Sequence, residues 1–267
     1  MSLRRVLAVV IRHFYLIRGS LSRVLPLFIW AGIDIVLWGF ITRYLQSTGG
    51  FRFSVVTTLL GAVLLWDFQA RVMQGVTMTF FEDVWSRNFL NVFASPLKLG
   101  EYLSGLVLSS IATSAVGLAV MLVIAIAAFG LSFAVYGLML AVFFLVLFLF
   151  GIALGILGTA LVLRLGPAAE WFIWPIPAVL APFACVFYPL AVLPVWMRPV
   201  ALLLPPSYVF EGMRSVAAGQ GSSLAMLAIG TGLAALYILI ACWAFVGVHH
   251  YAVRTGLIAR YAAETVS

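Results

Sequence analysis

A stretch of about 30 residues, 187–216, is too apolar for an ordinary loop and is broken too often to be a membrane span. Prolines at 189, 194, 199, 205 and 206 leave apolar pieces of at most five residues between them. A helix needs about 20 apolar residues to cross a bilayer. Non-helical backbone at membrane depth is tolerated only where protein or a water-filled cavity surrounds it. We therefore expect a re-entrant external hairpin, a feature of proteins that move something across a membrane.

The composition predicts an all-α integral membrane protein, because 65% of the residues are hydrophobic and only 9% are charged. Six stretches are long and apolar enough to span a bilayer: 24–45, 55–81, 103–128, 134–163, 169–192 and 223–247. They nearly exhaust the chain, so we expect residues 1–267 to form a single transmembrane domain with no room for a soluble catalytic domain. Cys185 and Cys242 lie far apart within predicted spans and offer neither a redox pair nor a zinc site.

The positions of the basic residues predict the orientation, because short loops rich in Lys and Arg stay cytoplasmic. With the N-terminus inside, ten basic residues lie inside, four lie outside and Arg71 lies within a span. The inner set is Arg4, Arg5, Arg12, Arg18, Arg23, Arg87, Lys98, Arg164, Arg254 and Arg260, and the outer set is Arg43, Arg52, Arg198 and Arg214. We expect both termini in the cytoplasm. The net charge of +7 then reflects topology and attraction to anionic lipid rather than nucleic-acid binding.

The first 22 residues predict an amphipathic helix in the inner membrane interface. One face carries Leu3, Val6, Val10, Phe14 and Ile17, and the other carries Arg4, Arg5, Arg12 and Arg18. The alternative is a frayed, basic tail. Arg12 and His13 interrupt the apolar run and no small-residue cleavage site follows, so a signal peptide is disfavoured.

Residues 82–97 predict a short cytosolic helix between the second and third spans. Glu82 and Asp83 would lie in its first turn, and Pro96 would end it. Trp85, Phe89 and Phe93 recur every four residues and form one apolar stripe. Such a stripe either meets a soluble partner or packs beneath the membrane.

Three charged residues fall within the predicted spans, and charges at that depth are costly. Asp67 and Arg71 are four residues apart and can pair on one helix face. Asp34 and Arg71 each lie about ten residues, or ~15 Å, from the inner end of their spans, so Arg71 could also reach Asp34. A network that locks the two spans together is favoured over contact with a substrate.

Small residues and prolines in the other spans predict packing features. Gly151, Gly155 and Gly158 in the fourth span allow close helix approach, and Ser110, Ser114 and Gly117 do so in the third. Pro175, Pro177 and Pro182 should kink the fifth span and free backbone carbonyls.

The order of these elements resembles the membrane subunit of ABC-2-type ABC exporters. That order is a basic interfacial helix, two spans, a cytosolic coupling helix, three spans, an external hairpin and a last span. The motifs that carry the resemblance are Glu82-Asp83-Val84-Trp85-Ser86-Arg87-Asn88 leading to Ser95-Pro96-Leu97, then Phe187-Tyr188-Pro189, Leu193-Pro194 and Pro206-Ser207-Tyr208 through Arg214.

The resemblance implies a homodimer with two copies of an ABC ATPase subunit in a bacterial-type inner membrane. ATP and Mg²⁺ would bind on that partner, because the single lysine, Lys98, follows Leu97 and makes no G-x-x-x-x-G-K-[ST] loop. No catalytic or metal-binding residue is expected on this chain. The resemblance implies that the residues that couple this chain to the ATPase are Glu82, Asp83, Trp85, Arg87 and Phe89. It implies that the residues of the external hairpin include Tyr188, Pro206, Tyr208, Glu211 and Arg214.

The predicted function is ATP-driven export of an amphipathic or hydrophobic substrate, such as a lipid, a lipid-linked glycan or a drug-like molecule. One alternative is an ion-coupled secondary transporter that uses Asp34, Asp67 and Arg71, although such carriers often show two similar halves with paired broken spans. Another is a polytopic lipid-modifying enzyme, which would need clustered catalytic side chains at a membrane face.

Overall fold

Helices account for all the regular secondary structure in the residues that the computed structural model describes, which are 1–19, 21–47, 53–86, 95–130, 132–221 and 223–257. The predicted all-helical class is therefore confirmed for this part of the chain. The helices are α1 (Leu3–Arg18), α2 (Leu21–Ser47), α3 (Phe53–Trp85), α4 (Leu99–Phe129), α5 (Met139–Leu165), α6 (Glu170–Ile173), α7 (Ile176–Leu180), α8 (Arg198–Leu203), α9 (Pro205–Ala217) and α10 (Leu224–Arg254). Of these described segments, α4, α5 and α10 are long and apolar enough to cross a membrane, which suggests a membrane protein.

Glycines bring α5 against α3, and their contacts show that the two helices run in the same direction. A Cβ added to Gly151 would lie 2.8 Å from the backbone oxygen of Gln69, and one added to Gly155 would lie 2.7 Å from the Cβ of Val76. The residue numbers rise together along both helices, as parallel packing requires. Helix α10 follows α5 in the same direction, since Phe150 contacts Tyr237 and Arg164 lies over the ring of Tyr251.

Helix α4 packs along α3 in the opposite direction, again through small residues. A Cβ on Gly75 would lie 2.6 Å from the Oγ of Ser110, and a Cβ on Gly117 would lie 3.3 Å from the Cδ of Arg71. Ser110 also donates a hydrogen bond to the Val72 carbonyl, 2.8 Å away. These contacts agree with the packing role predicted for the small residues of the third and fourth spans.

The end of α3, the beginning of α4 and the whole of α1 lie at one end of the helical bundle, which we call the α1 end. Helix α5 finishes at this end because it runs parallel to α3. Helix α10 also runs toward it, so residues 166–223 must carry the chain back to the far end. At the far end, Tyr208 of α9 packs beside Gly230 near the start of α10.

The fifth predicted span, 169–192, is not one continuous helix. It consists of α6, α7, a series of turns and a 3-10 turn at Leu190–Val192, with no helix longer than five residues. Pro175, Pro177 and Pro182 explain this, because each proline removes a backbone donor and clashes with the preceding helical turn. The predicted kinks are thus full interruptions.

Two other predicted boundaries differ from the structure. Helix α5, which corresponds to the fourth predicted span, begins at Met139 rather than near residue 134, after a 3-10 turn at Ala134–Tyr136 and Gly137 at φ +49°. Residues 82–85 do not begin a separate helix, because they form the last turn of α3. Glu82 and Asp83 therefore belong to the helix of the second predicted span, which extends into the predicted coupling segment. Residues 87–94 of that segment lie outside the described residues.

Candidate functional site

A buried carboxylate joins three helices at the α1 end. Asp83, in the last turn of α3, is 2% exposed. It forms an ion pair with Arg12 of α1, and it accepts a hydrogen bond of 2.7 Å from the hydroxyl of Tyr102, which is 1% exposed in α4. A buried carboxylate is tolerable only when it is paired and hydrogen-bonded. Arg12, Asp83 and Tyr102, hereafter the Asp83 cluster, therefore depend on one another.

A second carboxylate at the same end anchors the beginning of α1. Glu101, 1% exposed, accepts hydrogen bonds from the backbone N–H of Ser2 at 2.6 Å and of Lys98 at 3.0 Å. Arg5 lies 3.4 Å from the same carboxylate and donates to the carbonyl of Pro96 at 2.7 Å. The bond to Lys98 closes the first turn of α4, because Glu101 reaches back to satisfy a donor that the helix leaves unpaired.

Together these contacts make α1 a strap across the end of α3 and the beginning of α4. The two anchoring arginines, Arg5 and Arg12, are seven residues apart, or ~10 Å along a helix. Between them Val9 packs so closely on Gly105 that a Cβ there would lie 2.6 Å from the Cβ of Val9. Beyond them, the His13 ring approaches the hydroxyl of Thr79 at 3.3 Å. Helices α3 and α4 flank residues 87–94, so the strap holds both sides of that segment.

The predicted coupling residues thus divide into different environments. Trp85 is 52% exposed and stacks on Phe81, whereas Asp83 is buried inside the chain. Asp83 therefore organises this end of the molecule instead of presenting its carboxylate to a partner. Glu82 is partly buried, and Arg87 and Phe89 lie outside the described residues.

The three charges predicted within the spans are brought together, but unequally. The Nε of Arg71 lies 2.5 Å from Asp67, across one helical turn as the spacing predicts. The distance from Arg71 to the Asp34 carboxylate of α2 is 3.9 Å, and Asp34 keeps 42% of its side chain exposed. Gly117 makes room for the Arg71 side chain against α4. Arg71 is therefore primarily the partner of Asp67, and Asp34 is the more distant and more exposed of the two carboxylates.

At the far end, Arg214 of α9 stabilises the interrupted backbone. Its guanidinium donates to the carbonyls of Cys185 at 2.8 Å and Val186 at 3.4 Å and contacts Glu211 at 3.0 Å. Glu211 in turn accepts a 2.6 Å bond from the backbone N–H of Leu190. Cys185 has a φ of +55°, a left-handed conformation that non-glycine residues rarely adopt. A spacing of three residues on a helix allows the Glu211–Arg214 pair, and the pair holds a strained turn in place.

Other side chains in the same region bind carbonyls that the broken helices leave without partners. Each of these side chains donates a hydrogen bond to a backbone carbonyl oxygen. The donor–acceptor pairs, with distances of 2.7–3.3 Å, are Tyr188 to Pro182, Arg198 to Ala191 and Leu193, Tyr208 to Leu202, and Ser207 to Phe183. Pro206, also predicted here, is buried in the first turn of α9. This geometry favours a structural role for Tyr208, Glu211 and Arg214 within the predicted external hairpin.

Sequence reasoning missed Arg12, Tyr102, Glu101 and Arg198 as site residues. Glu101 carried a local signal, since an acidic residue three positions after a helix start is the position that closes the first turn. Arg12 and Tyr102 carried none, because their partner Asp83 is remote in the sequence from both. Within the part of the chain that the structure describes, no three His, Cys, Asp or Glu side chains gather into a possible metal site.

No protein-family model matches the chain, and no curated protein sequence matches it. The function proposed below is inferred from the chain's own residues and their geometry.

Proposed function

We propose that this chain is the transmembrane permease subunit of an ATP-driven ABC exporter, with the α1 end in the cytoplasm. Its substrate would be amphipathic or hydrophobic: a lipid, a lipid-linked glycan or a drug-like molecule. Two copies would form a homodimer in a bacterial-type inner membrane, with two ATPase subunits that bind ATP and Mg²⁺. Six crossings and two cytoplasmic termini belong to the same proposal.

The observation that carries the proposal is the construction of the α1 end. Residues 87–94 lie between α3 and α4, and the flanks of that segment are fixed to each other by the α1 strap through Asp83 and Glu101. A segment held rigidly on both sides can pass a displacement on to two long helices at once, as a coupling element must. Trp85, two residues before that segment in the sequence, has an exposed ring that offers an apolar contact for a partner.

The proline-rich region before α10, in which short helices are interrupted by turns, supports the same proposal. A chain that interrupts its helix between two long apolar helices must satisfy the freed carbonyls. Arg198, Ser207, Tyr208 and Arg214 do so here. We infer that this region is the external hairpin and that it shapes the exit of the pathway.

Co-purification is the direct test. If the chain is a permease, an ATPase encoded with it should co-purify, and its ATP hydrolysis should depend on this chain. Phe89→Asp should abolish assembly or uncouple hydrolysis from transport, because a new carboxylate at an apolar contact is costly to bury. Phe89→Leu is the control and should retain assembly. Normal assembly and transport in Phe89→Asp would refute the coupling role of this segment.

Thiol labelling tests the topology. In a background that lacks Cys185 and Cys242, Trp196→Cys and Gln220→Cys should both react with an impermeant reagent added from outside. Both positions lie in the region that we assign to the external side, on either side of α9. Labelling of either site only from the cytoplasm would mean that the segment crosses the membrane, and the exporter topology would be abandoned.

An ion-coupled secondary transporter is the second candidate, because the structure gathers Asp34, Asp67 and Arg71. Asp34 is the member whose carboxylate is most exposed and least tightly paired, so it would be the ion-binding group. In that case Asp34→Asn should abolish transport driven by an ion gradient while the protein remains folded. ATP-dependent transport that survives Asp34→Asn would favour the exporter.

A further inference from the structure

The two sides of α1 have different surroundings. The side that contains Ser2, Arg5, Val6, Val9 and Arg12 lies against the chain, and Val6 is only 4% exposed. The opposite side presents an apolar stripe spaced by three or four residues. The stripe consists of Leu3, Leu7, Ile11 and Phe14, at 70%, 44%, 52% and 59% exposure. Val6, expected on the lipid-facing side from the sequence, is therefore on the protein side.

The four arginines of α1 divide in the same way. Arg5 and Arg12 are used internally, by Glu101 and Asp83. Arg4 and Arg18 are exposed, and neither makes an ion pair with a residue that the structure describes. The sequence has no acidic residue before Asp34. The outward side of α1 is thus apolar along its length and carries positive charge near both ends.

The contacts of α1 also fix its level along the bundle. Val9 packs on Gly105, which lies in the second turn of α4, and α4 is one of the helices apolar enough to cross a membrane. On the other side, His13 meets Thr79 two turns before α3 ends. The outward stripe therefore lies at the level where α4 leaves its polar flank and becomes apolar, which in a bilayer is the boundary between head groups and acyl chains.

We propose that the outward side of α1 is a docking surface for an anionic bilayer, and that this docking stabilises the strap that holds α3 to α4. The apolar stripe enters the acyl boundary, and Arg4 and Arg18 meet anionic head groups, since long basic side chains extend to that layer. Because Arg5 and Arg12 are on the other side of the same helix, lipid docking and the Asp83 cluster act on one rigid element. Neither the docking nor its effect on the strap rests on the proposed transport function.

Hydrogen exchange of the α1 backbone tests this on the whole chain without any ATPase. The purified protein is placed in nanodiscs of phosphatidylcholine alone, or of phosphatidylcholine mixed with phosphatidylglycerol. The readout is the ratio of exchange rates of residues 3–18 in the two lipids. A basic residue near an anionic surface strengthens docking by about fivefold, so exchange in the anionic lipid should be slower by up to about 25-fold for two arginines.

Matched variants separate the two sides of the helix. Arg4→Gln with Arg18→Gln should bring the ratio close to one. Arg5→Gln should speed exchange in both lipids by a similar factor and leave the ratio unchanged, because Arg5 pairs with Glu101 on the side of α1 that packs against the chain. Leu7→Asn should speed exchange in both lipids, because it removes apolar contact and no charge.

Several outcomes would overturn the proposal. One is equal exchange of the unaltered protein in the two lipids, and another is a ratio that persists in the Arg4 and Arg18 double variant. Protection that appears only in nanodiscs holding two copies would assign the stripe to a second chain instead of to lipid. Failure of an ATPase to assemble would count against the exporter alone and would leave the exchange ratio unaffected.

Discussion

The ion pair between Arg12 and Asp83 should be a major contributor to the stability of the α1 end. Removing one member of a buried pair costs roughly 3–5 kcal/mol, because the other charge stays buried without compensation. Asp83 is almost fully buried, but the Arg12 side chain is 32% exposed, so water screens part of the interaction. We therefore expect Arg12→Ala to cost about 2–3 kcal/mol, with the hydroxyl of Tyr102 retaining part of the stabilisation of the carboxylate.

A double-mutant cycle in detergent measures this interaction. Arg12→Ala should lower the midpoint of thermal unfolding by about 4–12 °C on the scale of chains of 150–250 residues. Adding Asp83→Asn should recover part of the loss, because the amide carries no charge to bury, with a coupling energy of at least about 1 kcal/mol. Arg18→Ala on the same helix is the control and should shift the midpoint little.

Two results would refute the reasoning about this pair. One is a loss in Arg12→Ala no larger than in Arg18→Ala, which would mean that Arg12 does not stabilise the Asp83 carboxylate. The other is simple additivity of Arg12→Ala and Asp83→Asn, which would mean that the two residues do not interact.

Three further changes test the rest of the structure. Arg214→Leu should destabilise the chain by about 2–4 kcal/mol in thermal unfolding, because two backbone carbonyls and a carboxylate lose their charged donor. An unchanged midpoint of thermal unfolding together with altered transport would assign Arg214 to the transport pathway instead. Gly151→Ala should lower the stability by about 1–3 kcal/mol, because the added Cβ forces α5 away from α3. The control is Gly232→Ala, where a Cβ meets nothing within 4 Å, and it should be neutral or slightly stabilising. Equal effects of the two changes would argue against the close helix contact. Arg71→Leu should destabilise the protein. Adding Asp67→Asn should restore more of the lost stability than adding Asp34→Asn, because Asp67 lies 2.5 Å from the guanidinium and Asp34 lies 3.9 Å from it. The reverse order would contradict that geometry.

The helical pairs along one chain segment were predictable, and the pairs between segments were not. Asp67 with Arg71 and Glu211 with Arg214 follow from spacings of four and three residues on a helix. The sequence predicts a contact with a partner subunit for Asp83, an acidic residue near a predicted loop. The sequence does not predict the contact with Arg12, because it does not state which remote helix will lie beside the end of α3.

The proline-rich region shows the same division. The prolines predicted that the chain there could not form one helix, since proline removes a backbone donor wherever it stands. They did not predict how the freed carbonyls would be bound. Arg214 reaches Cys185 across 29 positions, and that contact exists only because α9 folds back beside the turn that precedes it.

Hydropathy, charge and proline placement alone determined that this chain is helical, apolar enough for a membrane and interrupted before its last long helix. These properties depend on how each short segment interacts with water, lipid and its own backbone, so they can be read locally. Only the tertiary structure decided that Arg5 binds Glu101 and the carbonyl of Pro96, while its neighbour Arg4 makes no ion pair with a residue that the structure describes. The physical reason is that the two side chains leave the helix about 100° apart, and the packing of α1 on α4 selects which of them faces the protein.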